Sequence, residues 1–192
     1  LPTGEPESPY GQSKLMIEKI MQDLCHSDNQ WSVGILRYFN PIGAHSSGQL
    51  GEDPKGDPNN IFPRLIKVAS GEIKKLYIFG NDWPTIDGSG VRDYIHIMDL
   101  AEGHLKALEY LNLIEPKILN INLGTGIGTS VVELVRAFEK VNNVKIPISF
   151  VERRNGDVSE LVADISLDKS LINFVPGRTI QDMCRDGWKW YV

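Results

Sequence analysis

Helical and extended patterns alternate along almost the whole of this chain, and that alternation is the strongest constraint on its fold. Apolar residues fall at helical spacing over 13–25, where Ile17, Ile20, Met21 and Leu24 form one stripe. A run rich in Val, Ile, Leu and aromatics over 31–39 predicts a strand. Further along, the patterns predict a helix over 61–70, strands over 75–80 and 93–98, and strands over 117–123 and 145–151. Helices are predicted over 166–171 and 179–191, the last with Met183, Trp188 and Tyr191 on its apolar side. Two more helices are announced by capping-box spacings, Asp99 with Glu102 and Ser130 with Glu133. Strands alternating with helices predict an α/β architecture.

Composition narrows the partners. The 192 residues include 20 basic and 25 acidic side chains, a net charge of −5. Counterion release on nucleic acid needs a basic face, so a general nucleic-acid binder is not expected. The longest uninterrupted apolar run is four residues, 76–79, far short of a membrane span. A chain of this length buries roughly 70% of its unfolded surface and needs no metal or disulfide staple. Its two cysteines, Cys25 and Cys184, both fall in helix-like segments and read as free buried thiols of a reducing cytosol. The four histidines are scattered, so no metal site is expected. Asp164 and Asp168 share a candidate helix face and read as solvated carboxylates.

Two long loops, 40–60 and 81–90, are rich in Gly, Pro, Asp and Asn. The first is about 20 residues long, and loops of that length inside compact domains are usually functional or disordered. A second feature is the spacing Tyr10-Gly-Gln-Ser-Lys14 at the mouth of the first helix. One helical turn separates the two side chains, so they share a face. A phenol is a poor base at neutral pH, and an ammonium beside it favours the phenolate. Such a pair suits proton transfer at a sugar or alcohol hydroxyl. Gly124-Thr-Gly126-Ile-Gly128 follows a strand and precedes a helix, which superficially suggests a dinucleotide loop. Thr129 stands where the third fingerprint glycine belongs, so a strand-to-helix turn capped by Thr129 or Ser130 is the preferred reading.

The order SPYGQSK, amphipathic helix, strand, RYFNPIGAH resembles the extended short-chain dehydrogenase/reductase family. GEDPKGDPNN (51–60), LYIFGNDWPTIDGSGVRDYIHIMDLAEGH (76–104), INLGTGIGTSV (121–131) and ERRNGD (152–157) extend the resemblance, collinearly, to its UDP-hexose 4-epimerising branch. The resemblance implies the end of an NAD-binding Rossmann-type domain followed by a smaller α/β substrate-binding domain. Residues 1–40, rejoined by 93–123, would belong to the first and 41–192 mainly to the second. It implies NAD as cofactor, UDP-galactose and UDP-glucose as substrates, a homodimer and a cytoplasmic setting.

By the same resemblance Tyr10 is the acid/base and Lys14 the ribose-binding residue beside it. The surroundings of Phe39 contact the nicotinamide. Asn40, Asn60, Ile61, Tyr77, Ile78, Phe79, Arg92, Arg154, Asp157 and Leu161 are implied UDP-sugar contacts. The chemistry of these types is consistent with such a ligand. Arginine forks bind phosphate bidentately, and Arg92 and Arg154 stand in loop-like segments. Asp157 suits ribose hydroxyls and Phe79 a uracil face; Arg153 is left open between a phosphate contact and a surface pair. Asn155 stands where the family often has Glu, and Leu161 where the hexose pocket varies in size. Another sugar-nucleotide enzyme, a dehydratase or decarboxylase, and a non-catalytic UDP-sugar-binding module stay open as alternatives. The chain opens at Leu1 with LPTGEPESPYG, which reads as a loop entering a helix. With the resemblance, it predicts a piece of a longer protein whose NAD-pyrophosphate half stands upstream.

Overall fold

The computed structural model describes residue 4, residue 6, residues 8–113, residue 115 and residues 118–192. Most of the opening loop, and Lys117 at the start of its expected strand, lie outside the described residues. The elements run α1 (Pro9–Ser27), β1 (Val33–Tyr38), β2 (Asn40–Ile42), α2 (Ile61–Ala69), β3 (Leu76–Phe79), β4 (Val91–His96), α3 (Ile97–Asn112), β5 (Ile118–Leu123), β6 (Gly128–Ser130), α4 (Val131–Asn142), β7 (Ile148–Val151), β8 (Glu160–Leu161), α5 (Ser166–Leu171) and α6 (Ile180–Tyr191). The fold is mixed α/β, and among the described residues four strand pairings are parallel: β1 with β5, β2 with β4, β3 with β7 and β8 with β4. β6 pairs antiparallel with β4. Asn40–Ile42, expected as loop, forms a strand because Asn40 to Ile42 lie in register with Tyr94 to His96.

Local chemistry sets most helix starts. Ser8 caps α1 by accepting from the Gly11 amide, and Pro9 takes a position whose N–H would have no partner. Ser130 and Glu133 form a reciprocal capping box at α4, and Thr179 and Asp182 another at α6. Asp99 is not a cap. His96 caps α3, its Nδ1 accepting from the Met98 amide at 3.0 Å, and Asp99 is buried in the first turn with Arg178 as partner. With Nδ1 accepting, the neutral ring carries its proton on Nε2, 3.4 Å from Asp186. Burial, then the Arg178 charge, lowers the His96 pKa.

Two hydrophobic clusters hold the elements together. One joins α2, α4 and α6 around Phe62, Leu65, Leu134, Phe138 and Met183. The aromatic rings of Phe62 and Trp188 meet Phe138 edge-on, at 6.1 and 5.8 Å between centroids. The close approach of α6 to α2 requires Gly187, where a Cβ would lie 2.3 Å from the Phe62 ring. The other cluster packs α3 and α5 on the β1–β5 pair around Ile95, Leu100, Leu119, Ile121, Leu123 and Phe174. Cys184 is buried and Cys25 half-buried, so only one expected buried thiol is one. Asp168 is also corrected. It is buried against β5, where one oxygen accepts from the Asn122 amide and the other has no partner. Burial pushes its carboxyl up to about 6. Among the described residues no helix is long and apolar enough to cross a membrane.

Candidate active site

Two clefts hold most of the expected site residues. The first, about 210 Å³, lies where the N-terminus of α2, the end of β3, β4 and the loop after β7 converge. Asn40, Asn60, Ile61, Tyr77, Ile78, Phe79, Arg92, Arg154 and Asp157 all line it. Arg92 is on strand β4 rather than in a loop. There its Nη1 donates to the Val91 carbonyl at 2.8 Å and its Nη2 to Asp157. The Arg154 guanidinium lies over the Phe79 ring, 3.8 Å from the centroid. Its neighbour Arg153 turns away, stacking on Trp83 and pairing with Asp82 at 2.7 Å, so it is a surface pair. Leu161 sits opposite Arg92 in the β4–β8 register, half exposed, outside the cleft lining. Tyr94 also lines the cleft, but burial raises its pKa and it is no candidate base.

The second cleft, about 590 Å³, is lined by Tyr10, Lys14, Glu18, Ile35, Arg37 and Tyr38, among others. The expected pairing on α1 is present: the Lys14 ammonium lies 5.0 Å from the Tyr10 ring centroid. Glu18, one turn further, holds Arg37 of β1 through two bonds of 2.6 and 2.7 Å. Tyr38 meets His104 of α3 at 2.5 Å between its hydroxyl and Nε2, and His104 Nδ1 meets the Leu100 carbonyl. Tyr10 itself is 73% exposed. Phe39 is half-buried, its amide bonded to the Leu123 carbonyl, and lines neither cleft. Along the chain the two linings come within two residues of each other, Tyr38 in one and Asn40 in the other. Two extended residues span about 7 Å.

The glycine loop is occupied from within. The carboxylate of Asp93 accepts from the Thr125 amide, the Thr125 hydroxyl, and the Gly126 and Ala163 amides. Gly126 is left-handed at φ 73°, and a Cβ on Gly124 would lie 2.7 Å from that carboxylate. The turn leads not straight into a helix but into the short strand β6, whose last residue, Ser130, caps α4 as expected, and the Asp93 carboxylate takes the Thr125 and Gly126 amides that a phosphate would need. Sequence reasoning missed Arg64, Asn59 and Tyr94 in the first cleft and Glu18, Arg37 and Tyr38 in the second. Helical spacing was a usable signal for two of them: Arg64 is four residues after Asn60, and Glu18 four after Lys14. No group of His, Cys, Asp or Glu suited to a metal occurs among the described residues.

The described residues thus bring a tyrosine–lysine pair on a helix, parallel strands and an arginine-lined cleft into one fold. The chain belongs to the NAD dependent epimerase/dehydratase family, which it matches over residues 1–122. It is 52% identical over 189 residues to the UDP-glucose 4-epimerase of Bacillus subtilis (strain 168), covering 95% of this chain. To the UDP-glucose 4-epimerase of Drosophila melanogaster it is 51% identical over 190 residues, covering 98% of this chain. It spans about half the length of these relatives, 54% in both cases. Among solved structures it is similar to the Bifidobacterium longum UDP-glucose 4-epimerase in complex with NAD+ and UDP. The TM-score is 0.94 at 44% identity, covering 98% of this chain and 56% of that one.

Proposed function

We propose that this chain is the substrate-binding portion, with the acid/base pair, of a UDP-hexose 4-epimerase that interconverts UDP-galactose and UDP-glucose. The observation that carries the reading is that the linings of the two clefts come within two residues of each other along the chain, at Tyr38 and Asn40: a tyrosine–lysine pair on one side, guanidinium groups on the other. One ligand with a diphosphate at one end and a hexose at the other reaches both. NAD, when bound, supplies the acceptor and donor for hydride at C4 of the hexose. Tyr10 takes the proton of the sugar 4-hydroxyl and returns it, with Lys14 holding positive charge beside the phenol. Arg92 and Arg154 hold the diphosphate, Phe79 borders the uracil, and Asp157 faces the ribose while fixing Arg92. Asn40, Asn60 and Ile61 complete the diphosphate wall, and Leu161 edges the hexose.

The same reading assigns 1–40 with 93–123 to the NAD-binding side, in keeping with the separate hydrophobic cluster around Ile95, Leu119, Ile121 and Leu123. It also includes a homodimer in the cytoplasm, with neither nucleic acid nor membrane as partner. The exposed row Met16, Ile17 and Ile20 on α1 supports the dimer. The deciding experiment gives the full-length protein UDP-galactose and NAD and follows product by NMR. UDP-glucose is the expected product. A dehydrated hexose would move the protein to the sugar-nucleotide dehydratases, and no turnover with intact UDP binding would make it a binding module.

A further inference from the structure

The first cleft holds a third cation, Arg64, that the family resemblance does not assign. It stands on α2 one turn after Asn60, so the two side chains share a face, and both line the cleft. Its guanidinium is unevenly satisfied. Nη2 donates to both oxygens of Asp57, at 2.8 and 3.1 Å, and Asp57 is 71% exposed. Nε, by contrast, is fully buried with no hydrogen-bond partner. A buried donor without an acceptor is costly, so the arrangement is unfinished. The other two cleft arginines are already engaged, Arg92 by Val91 and Asp157 and Arg154 by the Phe79 ring. The charged residues lining the cleft are three arginines and one aspartate, which leaves two positive charges to face an anion.

We propose that Arg64 is a further phosphate-binding arm of this cleft, held in reserve by Asp57 and released to a diphosphate. The inference rests on the UDP-sugar reading of the cleft and deepens it. The pair with Asp57 contributes modestly, because its carboxylate end is exposed and screened. A diphosphate fork on the same guanidinium contributes more, because it carries more charge and offers parallel charge-assisted N–H···O bonds. The exchange from Asp57 to a diphosphate therefore runs downhill. A ligand with one phosphate or none has less to offer, and Asp57 keeps the arm. The Asp57–Arg64 pair thus selects for the number of phosphates on a uridine ligand.

The test is calorimetric titration of the full-length protein with UDP, UMP and uridine, for the parent, Arg64→Gln, Arg64→Lys and Asp57→Asn. Arg64→Gln is expected to weaken UDP about tenfold or more while leaving uridine unchanged. Arg64→Lys keeps the charge without the fork and is expected between parent and Arg64→Gln. Asp57→Asn is expected to tighten UDP a few-fold, because the competing carboxylate is gone. Parent-like UDP-to-uridine ratios in both Arg64 variants would overturn the proposal. So would weaker UDP binding by Asp57→Asn, the result a strap that merely ties 51–60 to α2 would give. A parent protein that binds no UDP defeats the reading of the cleft itself, an outcome distinct from a parent that binds UDP with Arg64 silent.

Discussion

The two clefts are built to different degrees. The arginine cleft is walled by strands and a helix whose own core lies directly behind it: Ile78 is 1% exposed, and Leu65 and Phe138 are fully buried. Its cations are aimed by fixed partners, the Val91 carbonyl and Asp157 for Arg92 and the Phe79 ring for Arg154. The Tyr10 cleft is carried by a helix with no buried residue at all. Recognition of a fixed, highly charged group rewards a rigid, prepaired frame. On the proposed function, the prepaired frame recognises the charged group and the exposed Tyr10–Lys14 pair transfers the proton.

That contrast can be broken first at Tyr10. Tyr10→Phe in the full-length protein is expected to lower turnover of UDP-galactose by about 10²–10⁴-fold while UDP affinity stays at the parent value. A parallel fall in UDP affinity would show that the clefts are one unit. Phe138→Ala is expected to destabilise the fold by about 3–5 kcal/mol in urea melts, because it opens a void among Phe62, Trp188 and Leu134 behind the arginine cleft.

A smaller effect separates the two cores by pH. The Asp168 carboxyl titrates at about 6 in the fold and near 3.8 when unfolded, so burial favours its neutral form. Its share of stability is complete below pH 3.8 and is lost as pH rises through about 6. Asp168→Asn should flatten the urea midpoint between those values and leave UDP affinity unchanged across them. The smallest effect is expected at α1: Ile20→Ala changes the unfolding free energy of the isolated chain by no more than about 0.5 kcal/mol. Ile20 is already 60% exposed, and a larger loss would mean that α1 is better packed than the arginine side suggests.

What the residues revealed in advance was local or carried by long motifs. The Ser130–Glu133 box, the helix at Ser166–Leu171 and the Tyr10–Lys14 pairing depend on neighbours within one turn, and all three are present. Asp99 has the same spacing to Glu102 that makes a capping box, yet its partner is Arg178, 79 residues away. His96 was free to cap because an imidazole nitrogen can accept like a hydroxyl oxygen, which no periodicity reveals. Arg153 and Arg154 are adjacent and chemically identical, and only the direction of chain after β7 sends one to Trp83 and the other to Phe79. Asp168 looked solvated because its burial comes from β5, 46 residues earlier in sequence.

Arg92 and Asp93 are consecutive on β4, and a strand sends consecutive side chains to opposite faces. One therefore reaches the cleft while the other, wholly buried, is clasped by the turn at 124–126 and by Ala163. The carboxylate works as a mooring. Four donors fix it, and the peptide unit beside it inherits their stiffness. The aim of a cleft-facing guanidinium is thus set from behind the sheet, by a residue that lines neither cleft. Slackening the mooring would blur that aim while every group in the cleft kept its identity.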